Sequence, residues 1–300
     1  MSVMGHLPAS QAATGQPQQA KRRGFAGYLL LAPGGLWLLI FFVIPTITLA
    51  SSSLYDPSGT LDTGYAMTWH FQNYVDVWDT YHKYFIRSYE YALIATVVCV
   101  ILGYPLAYAI AFKAGRWKNL MLVAVIAPFF TSFLVRTLAW KLILADHGWV
   151  VEAMRFLHLL GPDGHVLDTP IAVVAGITYN FLPFMVLPLY ASLERLDPKL
   201  LEAAGDLYAR PFTAFRKVTL PMSMPGLVAG TLLTFIPAAG DFINSTLLGS
   251  PQTTMIGQLI QKLFLAFNVP AASALSVILM VSIVVLVAIY VWRAGTEELV

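Results

Sequence analysis

Six long apolar stretches constrain this chain more than any other feature. They run roughly over residues 28–50, 88–112, 120–144, 171–191, 223–247 and 274–292. A helix needs about 20 mostly apolar residues to cross a bilayer, and each stretch is close to that length or longer. Only 11% of the 300 residues are charged, and 58% are hydrophobic. A soluble domain carries about 25% charged residues, so this chain has too little polar surface to stay in water. The expected class is an all-α integral membrane protein with about six transmembrane helices. The fifth stretch is the least regular, because it holds Pro225, Pro237, Gly240 and Asp241. A broken helix is expected there, and a break at membrane depth survives only where protein or a water-filled cavity satisfies the freed backbone.

Residues 1–24 lack an apolar pattern and read as a disordered N-terminal tail. The membrane domain is placed at 25–295. Lys21, Arg22 and Arg23 precede the first apolar run as in a signal peptide, but the run is too long and has no clear cleavage site. An uncleaved first helix is expected. Cytoplasmic loops carry an excess of Lys and Arg. With the N-terminus inside, the inner segments hold Lys21, Arg22, Arg23, Lys113, Arg116, Lys118, Arg195, Lys199, Arg210, Arg216, Lys217 and Arg293, which is two thirds of the 18 basic residues. The outer loops instead collect Asp56, Asp62, Asp76, Asp79, Asp146, Glu152, Asp163 and Asp168. Six spans then return the C-terminus to the cytoplasm as well.

Several chemistries find no support. The net charge of +2 gives no reason to expect nucleic acid. The single cysteine, Cys99, forms no disulfide within the chain and reads as a small apolar residue. No Lys precedes Ser or Thr, so there is no phosphate-cradling loop, and no His precedes Glu, so there is no zinc helix. No Ser sits in a nucleophile elbow. No metal or cofactor site is expected in this chain. If transport is driven by ATP, the nucleotide binds another subunit.

The longest internal segment on the basic side, residues 194–221, reads ERLDPKLLEAAGDLYARPFTAFRKVTLP. Asp197–Pro198 is a helix start, with Asp capping free amides and Pro at the first helical position. Leu200, Leu201, Ala204, Leu207 and Tyr208 fall on one face at helical spacing. Pro211 suits the start of a second short helix through Phe212, Phe215 and Val218. Two such amphipathic helices pack on the spans, lie in the headgroups, or dock on a partner. Glu202-Ala203-Ala204, followed by Val218-Thr219-Leu220-Pro221, resembles the EAA loop of permeases in binding-protein-dependent ABC importers. That resemblance implies that Glu202, Ala203, Ala204, Gly205, Asp206, Tyr208, Leu220 and Pro221 couple to an ATPase. The chain departs from the family pattern by having Tyr208 where glycine is usual, with Gly205 three residues upstream.

The similarity runs from about residue 25 to 294. LVRTLAW at 134–140, LPFMVLPLYASLERLD at 182–197, FIPAAGDF at 235–242 and LLGSPQTTMIGQLI at 247–260 resemble the first of the two permease subunits of spermidine/putrescine importers. The resemblance implies a type I importer fold in a prokaryotic cytoplasmic membrane. It implies a homologous second permease, an ATPase dimer that binds the ATP, an extracytoplasmic substrate-binding protein, and a small cationic solute as cargo. Relatives for other solutes share much of the pattern. A stand-alone secondary carrier is the competing class, and it has no use for an ATPase-docking loop.

Ionisable residues inside spans are functional candidates. Counting along straight helices at 1.5 Å per residue places Asp241 about 28 Å from Met222 and Arg136 about 24 Å from Leu120. At a shared depth Asp241 and Arg136 form a pair that gates or lines the substrate path. The plainer alternatives are exposure of Asp241 at the outer mouth and snorkelling of Arg136 to headgroups. The outer segment 51–87 combines Tyr55, Tyr65, Trp69, Tyr74, Trp78, Tyr81 and Tyr84 with four Asp residues. This is chemistry that suits a polyamine or a contact surface for the binding protein. Gly226 and Gly230 form a small-residue face for close helix packing, within the chain or against the partner permease.

Overall fold

The computed structural model describes residues 26–60, 62–161 and 163–294. The expected tail at 1–24 lies outside the described residues. Two units divide between Ile47 and Thr48. The described residues are almost entirely helical, with two isolated bridges, Tyr55 to Met67 and Thr60 to Gly64. In the first unit, α1 (Ala26–Leu38) passes through a π-helical turn (Leu39–Val43) into the start of α2 (Ile44–Ser52). No residue of the apolar window in Leu30–Ser52 is buried. A helix apolar all round and exposed all round suits lipid rather than water.

The second unit is built around α3 (Gln72–Tyr108). Helix α4 (Lys118–Ile126) and a 3₁₀ turn (Ala127–Phe130) lead to α5 (Phe133–Ile143). The short α6 (Trp149–Phe156) precedes the long α7 (Pro170–Glu194). Then come α8 (Pro198–Asp206), α9 (Pro211–Ala214), a π turn (Phe215–Thr219) and α10 (Leu220–Met222). The last described elements are α11 (Met224–Ala239), α12 (Ile243–Leu248), α13 (Ile256–Leu265) and α14 (Val269–Ala294). Among the described residues four helices are long and apolar enough to span, and two bent pairs bring the number to six if each is one span.

Two expectations about shape are corrected. Segment 72–87 is not loop: α3 starts at Gln72, and with its π turn runs on to Lys113, 42 residues in all. At 1.5 Å per residue that is about 63 Å, twice the roughly 30 Å hydrocarbon core. One face of the extension packs Tyr74, Val77, Tyr81, Tyr84 and Phe85 against Ile256, Ala274 and Leu275, so three of the seven aromatics named for segment 51–87 are packing residues. The third span is not straight either. Helices 115–130 and 133–143 meet at 96° across Thr131 and Ser132. Extended backbone at Thr131 and Ser132 interrupts the helical ladder there.

Helices α3, α7 and α11 form the packed centre. α11 sits tightly against α7 because a Cβ at Gly226 would meet Pro188 O and Ser192 Cβ at 2.5 Å, and one at Gly230 would meet Met185 Sδ at 2.9 Å. The small-residue face is therefore used within the chain. Near the bend between α10 and α11, which is 65°, Ser223 Oγ bonds Leu220 O at 3.0 Å and Tyr104 Oη at 2.7 Å. A buried hydroxyl thus satisfies backbone beside the break. In the segment before α3, Asp56 accepts from the amide and hydroxyl of Ser58, which hold its carboxyl below the usual carboxylate range.

Candidate functional site

Helix α8 begins where Asp197 and Pro198 put it: the Asp197 carboxylate accepts from Lys199 N at 3.0 Å. Leu201 and Ala204 are half-buried, while Glu202, Ala203, Gly205 and Asp206 are exposed. The helix stops after Asp206 in a turn with two bonds, Tyr208 N to Gly205 O and Ala209 N to Ala204 O. This pattern requires a left-handed residue at its fifth position, usually glycine. Tyr208 occupies it with φ +58°, while Gly205 lies inside the helix. The left-handed state costs an L-residue about 1–2 kcal/mol. The turn therefore forms without the usual glycine. It also redirects the chain, so Leu207 and Tyr208 leave the packed face on which helical spacing placed them and stand 81% and 96% exposed. The return segment is anchored by Phe215, whose ring meets Tyr104 edge-on at 5.4 Å, and by buried Thr219. Leu220 is half-buried and Pro221 exposed. Beside α8, the Lys118 and Glu194 side chains pair at 2.6 Å and join the start of α4 to the end of α7.

A second polar site lies where both broken spans meet α7. Asp241 follows the end of α11 and is 6% exposed. Its carboxylate accepts from Asn244 N at 2.8 Å and from Asn244 Nδ2 at 3.0 Å, capping the free amides of α12. Asn244 Oδ1 in turn accepts from Asn180 Nδ2 at 3.1 Å and lies 3.4 Å from Thr137 Oγ1. Asn180 Nδ2 also reaches Thr137 Oγ1 at 3.2 Å. The knot ties α5, α7 and α12 together and gives the break between α11 and α12 its polar partners.

The expected pair of Arg136 with Asp241 is not formed. Arg136 is 7% exposed, with its guanidinium 5.4 Å from the Phe129 ring centroid and 5.6 Å from that of Phe133. Its Nε and Nη1 have no hydrogen-bond partner among the described residues. Counting depth along straight helices fails because the chain turns by 96° before Arg136 and is interrupted at Gly240 before Asp241. Thr137, Asn180 and Asn244 were missed by the reading of ionisable residues. Their signal was available: each is a polar residue inside an apolar run, where hydrogen-bonded side chains join helices. An apolar groove of about 570 Å³ between α3, α5 and α7, lined by Tyr91, Trp140, Thr178 and Tyr179 among others, holds no charged residue.

The chain matches the family described as binding-protein-dependent transport system inner membrane components over residues 100–294. It is 35% identical over 262 residues to the spermidine/putrescine transport system permease protein PotB of Escherichia coli (strain K12), covering 86% of this chain and 94% of that protein. It is 35% identical over 261 residues to the protein of the same name from Haemophilus influenzae, covering 86% and 90%. The fold is similar to a chain in the crystal structure of a bacterial ABC transporter involved in import of the acidic polysaccharide alginate. There the TM-score is 0.67 at 19% identity, over 90% of this chain and 95% of that one. The chain belongs to the inner membrane components of binding-protein-dependent transport systems: it is a permease subunit of an ABC importer, not an enzyme, and its place is the inner membrane.

Proposed function

We propose that this permease forms half of the path for a polyamine of the spermidine or putrescine class. The observation that carries the reading is similarity to PotB over nearly its whole length. A second, homologous permease supplies the other half. Two ATPase subunits bind the ATP that drives the cycle, and a binding protein delivers the solute from outside. The exposed face of α8, with Glu202, Ala203 and Gly205, is the ATPase-docking element. Two features support this: a helix that presents small residues admits a close partner surface, and the loop lies on the side where Lys and Arg accumulate, which is the cytoplasmic one. The knot around Asp241 holds the broken fifth span in shape. Asp241 and Arg136 are the ionisable groups proposed to meet the path when the helices rearrange.

The test is uptake of labelled spermidine into proteoliposomes holding both permeases and the ATPase pair, with binding protein outside and ATP inside. Saturable uptake that putrescine inhibits is expected. ATP-dependent uptake of some other solute, with none of either polyamine, refutes the substrate reading. Uptake by this chain alone refutes the importer assembly.

A further inference from the structure

We propose that Phe129, Phe133, Phe181 and Phe184 form an aromatic cage for an alkylammonium group of the cargo, and that Arg136 is a tethered cation that fills the cage when no cargo is present. This rests on the polyamine reading given above and assigns a subsite to it. The four rings form an unbroken chain. Phe133 meets Phe181 at 6.0 Å between centroids, Phe181 meets Phe184 at 6.1 Å, and Phe184 meets Phe129 at 5.1 Å. The Arg136 guanidinium closes it, 5.4 Å from the Phe129 ring and 5.6 Å from the Phe133 ring.

Two buried groups here lack partners among the described residues, and they are complementary. Arg136 Nε and Nη1 are donors with no acceptor. A buried charge without a hydrogen-bonded partner is costly, and a packed apolar side chain fills such a place at lower cost. Ring faces are what hold this cation. Rings that hold a desolvated guanidinium attract an alkylammonium through the same quadrupole. The second group is an acceptor with no donor, Asn180 Oδ1. Asn180 Nδ2 donates at 3.2 Å to Thr137, the residue after Arg136, and Asn180 shares a face of α7 with Phe184, four residues on. An ammonium brings both the charge that suits the rings and the N–H that this carbonyl lacks.

The cage straddles the break in the third span. Phe129 belongs to the 3₁₀ turn before Thr131 and Ser132, whereas Phe133 and Arg136 belong to α5 after them. A change in the 96° angle between the two pieces therefore moves the Phe129 ring relative to the guanidinium and opens the cage. Cargo then takes the place of the guanidinium, and the return of the guanidinium expels the cargo. The Asp241 carboxylate stays with Asn244 and takes no part in the exchange.

The experiment is equilibrium binding of labelled spermidine to the purified importer in detergent, without binding protein or ATP, with uptake measured alongside in proteoliposomes. A ring face is worth up to about 30-fold in affinity for a desolvated cation. Arg136→Met empties the cage, so spermidine is expected to bind at least about fivefold tighter, while uptake falls because nothing expels the cargo. Arg136→Gln is expected to do the same, and decides the matter if the Met variant assembles poorly. Adding Phe129→Leu and Phe133→Leu, which keep apolar volume but remove ring faces, is expected to erase the gain. If neither Arg136 variant binds spermidine more tightly than the unaltered importer, the tethered cation is refuted. If the gain survives the loss of both rings, the cage is refuted. If both Arg136 variants lose the second permease, the guanidinium serves that subunit and the proposal is overturned. The substrate reading fails separately, when the unaltered importer takes up no polyamine.

Discussion

Asn244 is the hub of the polar knot, and Asn244→Ala tests whether that knot holds the broken spans. The substitution removes the Asn244 side-chain bond to the Asp241 carboxylate at 3.0 Å and the bond from Asn180 at 3.1 Å. The 3.4 Å contact with Thr137 is too long to count for much. A hydrogen bond to a charged group contributes about 1.5–3 kcal/mol. An interhelical bond within a membrane protein contributes about 0.6 kcal/mol, and at most about 1.7. The backbone amide of residue 244 keeps its bond to Asp241, so the cap on α12 survives. The sum is a loss of about 2–4 kcal/mol, concentrated at the junction of α5, α7 and α12. The assay is reversible unfolding in mixed micelles of Asn244→Ala, Asn180→Ala and the double variant. A coupling of about 0.5–1.5 kcal/mol between the two sites is expected. A loss below about 0.5 kcal/mol for Asn244→Ala, or strictly additive variants, would show that the knot does not fix the junction.

Three further outcomes are expected. Gly226→Val forces a side chain onto Pro188 O and Ser192 Cβ at 2.5 Å and should cost about 1–3 kcal/mol or more; Gly240→Ala, with no atom within 4 Å, should fold normally, and equal monodisperse yield of the two would refute the packing argument. Ala203→Trp should leave the permease folded but separate ATP hydrolysis from uptake, measured side by side in proteoliposomes; tight coupling in that variant would count against docking at α8. Arg136→Met keeps an apolar stem against Phe129 and Phe133 and removes an unpaired buried charge, so thermal stability should hold or rise while polyamine uptake falls; full uptake would remove Arg136 from the path.

Much of this protein was readable without coordinates, because a bilayer makes one-dimensional demands. Each span must be about 20 apolar residues, and that condition alone locates all six stretches. Local backbone chemistry was equally plain: Asp197 and Pro198 start α8, and the Pro237–Gly240 region ends α11. The family, too, lies in contiguous phrases of sequence. What needed the tertiary structure was everything set by distance through space. Thr137, Asn180 and Asn244 are separated by 43 and 64 residues, and no local pattern joins them. The pairing of Arg136 with Asp241 rested on straight helices, and the 96° turn before Arg136 removed its basis. Gly226 and Gly230 mark close packing in any sequence, but only the fold shows that α7 is the surface they meet. Tyr208 reads as one more apolar residue on the face of α8. Its left-handed backbone turns it outward, because the helix ends two residues earlier and the turn that ends it reverses the side on which the ring falls.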